Sequence, residues 1–242
     1  PSINLTMNPF QQEATKTQAL SHQLSLSVNV EDRYQQGKLL GKGGMGSVFS
    51  VFDTVLKRTL ALKRISTEIM GRPDSLYRFV KEAQVMASLQ HPSVVSIHDL
   101  GLDGNKHLYL LMEEVEGKTM KEYIRTLHAD SSSFEWAQTQ WGFRRIVDAF
   151  YRVCETMAYV HENGIVHLDL KPSNIQLGNR GQVWILDWGL ARNAGGKDEE
   201  IWCSPYYSAP ERTVGMQSGA CDVYALGTLL FEILVGRPPF YR

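Results

Sequence analysis

The sequence predicts an α+β protein, an antiparallel sheet with one helix followed by a mainly helical half. Three observations carry this. Between Lys38 and Met112, short runs of β-branched and aromatic residues are separated by Gly and Asn turns, with one stretch of helical spacing among them. After Gly117 the longest apolar patterns recur at three- and four-residue intervals. The composition is ordinary globular, with 43% hydrophobic and 21% charged residues among 242, enough chain for a sizeable core.

Residues 1–33 are rich in Gln, Ser, Thr and Asn and read as a flexible leader. Their one pattern, Leu24, Leu26, Val28 and Val30 alternating with polar residues, predicts an edge strand. From Lys38 to Ile65 a Gly-rich turn at 41–46 is followed by strands at Ser47–Phe52 and Thr59–Ile65. Pro73 and Asp74 signal a helix start, and Leu76, Phe79, Val80, Ala83, Met86 and Leu89 give it a core face of helical period. Val94–Leu100 and His107–Met112 form two further strands around Asp103-Gly104-Asn105. A polar stretch around Ser131–Ser133 leads into a long amphipathic helix with Ile146, Phe150, Val153, Met157 and Val160 inward, closed at Asn163-Gly164. Short strands at Ile175–Leu177 and Val183–Leu186 come next. Val223–Val235, apolar almost all round, predicts a buried central helix.

Lys and Arg number 25 and Asp and Glu 26, a formal charge of −1, so no broad field draws the chain to nucleic acid or an anionic membrane. Any phosphate it binds must be held locally. Cys154, Cys203 and Cys221 are odd in number with no C-x-x-C pair, which argues against a disulfide framework and a structural zinc, and fits a reducing cytoplasm. The apolar run at 223–235 is shorter than the roughly 20 residues a membrane span requires. Pro1 rather than Met opens the chain, so a membrane tether outside it stays open, and nothing in the sequence sets an oligomeric state.

Gly41-Lys42-Gly43-Gly44-Met45-Gly46 fits G-x-G-x-x-G, a pattern several nucleotide folds share. A dinucleotide fold needs a helix directly after it, and residues 47–65 read as strands. A Walker loop needs Lys at 47, where Ser47 stands. What survives is a Gly-rich hairpin whose backbone N–H groups can approach phosphate oxygens. Lys63 shares a strand face with Ala61 and Ile65, where an ammonium needs an anionic partner, and Glu82 on the helix face of Phe79, Ala83 and Met86 offers one. His167-Leu168-Asp169-Leu170-Lys171-Pro172-Ser173-Asn174 brings a carboxylate, a cation and a carboxamide into one loop, and Asp187-Trp188-Gly189 adds a carboxylate after an apolar strand. Phosphoryl transfer needs these types: metal ligands, a positive charge and an acceptor for the hydroxyl proton. Each alone has a plainer explanation, as a tight turn, a snorkelling Lys, a boundary Glu or a loop-capping Asp. Their occurrence together and in order carries the argument.

The ordered set of Gly41, Gly43, Gly46, Val48, Lys63, Glu82, HLDLKPSN at 167–174, DWG at 187–189, Ala209-Pro210-Glu211 and Asp222 closely resembles the eukaryotic-type serine/threonine protein kinases over residues 34–242. GKGGMGSV, DWGLAR, DVYALG and GRPPF are most similar to the bacterial branch. The resemblance implies a bilobal protein-kinase-like fold, an N-lobe with hinge at 34–116 and a partial C-lobe at 117–242, with the active site between them. It implies that Gly41, Lys42, Gly43, Gly44, Met45 and Gly46 cover the phosphates of ATP, that Val48 and Ala61 sandwich adenine, that Met112 is the gatekeeper, and that the backbone from Glu113 to Val115 holds the base. Lys63, paired with Glu82, would orient the α- and β-phosphates. Asp169 would be the catalytic base, Lys171 would steady the γ-phosphate, and Asn174 and Asp187 would bind Mg²⁺. The substrates implied are Ser and Thr hydroxyls of proteins. A kinase-like small-molecule phosphotransferase is the enzyme alternative, against which Lys171, Gly189 and Ala209-Pro210-Glu211 stand. A pseudokinase scaffold is the other, against which the intact Lys63, Glu82, Asp169, Asn174 and Asp187 stand.

The chain also departs from the family. Leu168 stands for the usual Arg, Trp188 for Phe, Cys203 where Gly is common, and Ser204 for the usual Thr of the substrate-docking loop. Leu168 cannot receive a phosphate, and no Ser, Thr or Tyr lies between Asp187 and Trp202, where the acidic run Asp198-Glu199-Glu200 reads as a solvated tip. Control is therefore expected from expression, a partner or regions outside this chain. The sequence stops at Arg242, where the family continues with final helices, so apolar surface flanking 223–235 and a Glu211 without its usual Arg partner are expected.

Overall fold

The computed structural model describes residues 33–70, 73–129, 142–197 and 204–240. The expected edge strand at 24–30, the polar stretch at 131–133, the acidic run at 198–200 and Cys203 lie outside the described residues. The chain divides into two compact units, one comprising residues up to 83 with 96–114, the other 84–95 with 115 onward.

The first unit is a five-stranded antiparallel sheet in the order β1-β2-β3-β5-β4, with β1 Tyr34–Gly43, β2 Gly46–Asp53, β3 Arg58–Ile65, β4 Ile97–Leu102 and β5 Leu108–Glu113. A four-residue helix, α1 (Thr67–Met70), and α2 (Pro73–Ser88) follow β3. The period of two along β3 sorts its residues. Leu60 and Leu62 join Val51, Tyr109 and Leu111 in one buried cluster, while Ile65 joins Phe79, Val80, Ala83, Leu108 and Leu110 in another. α2 starts at the predicted Pro73. The glycine turn is tighter than the sequence suggests, because Gly43 pairs with Gly46 and leaves only Gly44 and Met45 at the bend.

One correction concerns the β4–β5 hairpin. β4 begins at Ile97 rather than Val94; Val94 instead bridges Ile185 in the second unit. The turn between the two strands closes on Lys106, which has φ 64°. It is stabilised by Asp103, whose carboxylate accepts the N–H groups of Asn105 and His107.

The second unit holds β6 (Lys118–Thr119), α3 (Met120–Ala129), α4 (Phe143–Glu162), β7 (Ile165–Val166), β8 (Ile175–Leu177), β9 (Val183–Ile185), β10 (Arg192–Asn193) and α5 (Gly219–Val235). β6, β8 and β9 form one small sheet, and β7 pairs with β10. The helix α3 was not expected, since its ten residues present only Met120 and Ile124 as buried. On α4 the buried face is Ile146, Ala149, Val153, Thr156, Met157 and Val160, with Phe150 only half-buried. Thr156 is tolerated there because its hydroxyl donates to the Arg152 carbonyl at 2.7 Å. α5 is not buried all round: Ala225, Leu229 and Ile233 are buried, but Val223, Phe231, Leu234 and Val235 are exposed. No helix among the described residues is long and apolar enough to cross a membrane.

Candidate active site

The first unit carries the residues expected to meet a nucleotide. Cross-strand partners share a sheet face, so the registers Val48↔Lys63↔Leu110 and Ser50↔Ala61↔Met112 put Val48, Ser50, Ala61, Lys63 and Met112 on one face. Ala61 is buried, and Val48 and Met112 are half-buried. Glu113 ends β5, its N–H donating to the Ser96 carbonyl at 2.9 Å, and Val115 follows two residues on.

The glycines of the hairpin differ in what requires them. A Cβ on Gly46 would lie 2.0 Å from the Arg64 carbonyl oxygen, so packing against β3 excludes any side chain there. At Gly41, Gly43 and Gly44 a Cβ would meet nothing within 4 Å, and none of the three has a positive φ. The protein's own packing does not demand glycine at these positions; a molecule coming close to the backbone would. Lys42 is exposed beside them.

Lys63 and Glu82 meet as the sequence suggests. Nζ lies 2.7 Å from Oε1 and 2.8 Å from Oε2, with the lysine side chain 16% exposed and the glutamate 4%. Nζ also lies 5.6 Å from the centre of the Phe79 ring. The ammonium is thus fixed at the edge of the core with part of its surface still open.

In the second unit, two of the expected residues, Lys171 and Asn174 of the loop after β7, and Ser204 from a later segment gather around the Asp169 carboxylate. Lys171 Nζ donates to Oδ2 at 2.6 Å, Asn174 Nδ2 to Oδ2 at 3.1 Å and to the Asp169 carbonyl at 2.9 Å, and Ser204 Oγ to Oδ1 at 2.7 Å. Lys171 also donates to Ser204 Oγ at 2.9 Å. Pro172 and Asn174 begin and end a short 3₁₀ turn, which brings Asn174 back onto Asp169. Since the Asn174 amide nitrogen is engaged with Asp169, its amide oxygen is the atom left to ligate. Asp187 sits after β9 with φ 61°, exposed, its carboxylate without a hydrogen-bond donor among the described residues. Among the described residues no three His, Cys, Asp or Glu side chains cluster as a metal cage. One amide oxygen and one carboxylate suit a hard cation whose other ligands are waters and phosphates, the usual manner of binding Mg²⁺.

What orders this loop was not legible as a role in the sequence. Asp222, on the first turn of α5, is fully buried, and its carboxylate accepts the N–H of His167 at 2.8 Å, the N–H of Leu168 at 2.8 Å and His161 Nε2 at 2.9 Å. Leu168 has φ 65°, an uncommon conformation for a branched residue, and the twin N–H bonds hold it there. The signal available was a carboxylate at the head of an apolar helix, a position that burial makes costly without donors. The Leu168 side chain, where the family has Arg, is buried with Val166, Ala209 and Cys221, so hydrophobic contact replaces a cation at this point. Trp188 is fully buried, as a large plug should be, and its indole N–H donates to the Ile185 carbonyl at 3.0 Å. The segment of Ala209-Pro210-Glu211 is tied to α5 by Tyr207, whose hydroxyl donates to Glu232 at 2.6 Å; burial raises the pKa of both groups.

Comparison with known proteins agrees with this geometry. The model of the protein kinase domain matches residues 34–242. The chain is 34% identical over 234 residues to the serine/threonine-protein kinase PknD of Protochlamydia amoebophila, covering 87% of this chain and 24% of that protein. It is 34% identical over 232 residues to PknD of Chlamydia pneumoniae, covering 87% and 25%, and 35% identical over 218 residues to a probable serine/threonine-protein kinase of Streptomyces coelicolor, covering 86% and 31%. The chain thus spans about a quarter to a third of the length of these relatives. The domain match implies ATP as a substrate, typically with Mg²⁺, and proteins as acceptors. With the match running from the first strand through the Asp169 loop to α5, the chain belongs to the protein kinase family.

Proposed function

We propose that this chain is a protein serine/threonine kinase domain that transfers the γ-phosphoryl group of ATP to Ser and Thr hydroxyls of protein substrates, with 34–116 and 117–242 as its two lobes. The observation that carries the reading is the Asp169 carboxylate, held by Lys171, Asn174 and Ser204 within 3.1 Å. A carboxylate fixed by three donors is oriented to accept the proton of an incoming hydroxyl as its oxygen attacks phosphorus. Lys171, beside it, supplies positive charge to the equatorial oxygens of the transferring group. Lys63, aimed by Glu82, holds the α- and β-phosphate oxygens. The N–H groups at Gly41, Gly43 and Gly44 are approachable for the reason that no Cβ is present. Val48, Ala61 and Met112 offer an apolar face to adenine, with Glu113 to Val115 as the hinge. Asn174 and Asp187 would hold Mg²⁺, which neutralises phosphate charge when bound.

The discriminating experiment is transfer of label from radiolabelled ATP to a generic protein acceptor, run beside a panel of aminoglycosides and the Asp169→Asn variant. Labelled phosphoserine and phosphothreonine, lost in the variant, are expected. Label on an aminoglycoside alone would replace this reading with a small-molecule phosphotransferase, and no transfer to any acceptor would leave a scaffold.

A further inference from the structure

A second contact on the nucleotide-facing sheet has no part in the scheme above. Ser50 Oγ donates to Glu114 Oε2 at 2.6 Å, a charge-assisted hydrogen bond between the middle of β2 and the residue after β5. Ser50 is 9% exposed and Glu114 is half-buried. Ser50 stands in register with Ala61, and Ala61 with Met112, so the three form one row across the sheet; the alternation along β2 puts Val48 on the same face. The bond therefore joins the strand carrying Val48 to the middle residue of the hinge segment, 64 residues apart in sequence.

We propose that Ser50 is a positioning residue for the nucleotide, acting through Glu114; the inference rests on the kinase reading of this face. The physical argument is one of alternatives. With its hydroxyl donor, the Glu114 carboxylate is held against β2, and the main chain from Glu113 to Val115 is held with it. Without the donor a half-buried carboxylate turns to water, and the hinge main chain follows, because an unpaired buried charge is costlier than the rearrangement. The adenine site then has to be ordered when the nucleotide binds, and that ordering appears as weaker binding. The phosphates, Lys63 and Asp169 are not touched, so the chemical step is not.

The test uses the whole chain, with Ser50→Ala and Ser50→Thr compared with wild type in binding of a fluorescent ATP analogue, in KM for ATP and kcat, and in melting temperature. Ser50→Ala should raise both Kd and KM about five- to tenfold with kcat within about twofold, the net scale of one ordinary hydrogen bond acting through the hinge. Ser50→Thr, which keeps the hydroxyl, should restore both. Glu114→Ala combined with Ser50→Ala should be no worse than the worse single variant. Wild-type-like Kd and KM in a folded Ser50→Ala overturns the inference, as does a fall in kcat at unchanged KM. A wild-type chain that binds and transfers but is insensitive at Ser50 removes this inference alone. A wild-type chain that binds no nucleotide removes the kinase reading with it.

Discussion

The two units fix their candidate functional side chains in opposite ways. In the first, a single ion pair, Lys63 with Glu82, stands beside a hairpin whose outer glycines are surrounded by open space. In the second, Asp169 sits in a closed set of donors, and the loop beneath it hangs on one fully buried carboxylate, Asp222. An open pair can yield as a ligand arrives and leaves. A closed network keeps one geometry, and removing a member strands the others. Substitutions should therefore be graded in the first unit and near all-or-none in the second.

The largest effect belongs to Asp169. Asp169→Asn should lower kcat by about three to four orders of magnitude while ATP binding stays near wild type, since it removes the proton acceptor and no phosphate contact. Single-turnover transfer together with an equilibrium binding measurement checks this; retained transfer would void the assignment. Asp222→Ala should be next, costing about 2–4 kcal/mol because two buried N–H groups lose their acceptor and Leu168 loses what holds its positive φ. Denaturant unfolding should report it, and a loss below about 0.5 kcal/mol would show that the loop is held by packing alone.

The graded response is tested in the first unit. Lys63→Met should reduce kcat/KM by about 10- to 100-fold and Glu82→Gln by only a few fold, because the ammonium survives with its charge but without its guide. The double variant should match Lys63→Met; a product of the two losses would mean that the residues do not act together.

The smallest effects are in pH dependence, where the units should differ in sign. Asp53 is held well below the usual carboxylate range, first by its bidentate bond with Arg33 and then by the N–H groups of Leu56 and Val55. Its stabilisation is present above the unfolded value of about 3.9 and is lost as pH falls further. Glu232 is shifted upward, chiefly by burial, so its share of stability is present below the unfolded value of about 4.3 and is lost as pH rises through the elevated one. Melting curves across pH should then show Asp53→Asn flattening the acid limb. Glu232→Gln, which still accepts from Tyr207, should flatten the neutral side by about 2–4 °C. Parallel profiles for wild type and both variants would dissolve the contrast.

Much of the candidate site was legible because the side chains proposed for it are concentrated in short segments. Lys171 and Asn174 lie within five residues of Asp169 along the chain, so a loop of that length brings them together whatever surrounds it. Lys63 and Glu82 could be paired in advance since each stood as the charged residue on an apolar face, and burial admits few solutions. Ser50 and Glu114 offered no such signal. A serine within a strand and a glutamate in an acidic run are unremarkable alone, and only the sheet register brings them within 2.6 Å.

The sequence by itself determined the fold class and the family and marked the candidate reactive side chains, because period, turn chemistry and clustered polar types are local properties. Tertiary structure alone decided what each element turns toward. Val94 left its expected strand for a bridge to Ile185, and the apolar circumference of α5 was divided into a covered face and one exposing Val223, Phe231, Leu234 and Val235. It likewise made Asp222 the acceptor for a loop more than fifty residues earlier. Hydrophobicity is non-directional, so a pattern states that a surface seeks burial but not against what; hydrogen bonds are directional, and their partners exist only once the chain has closed upon itself.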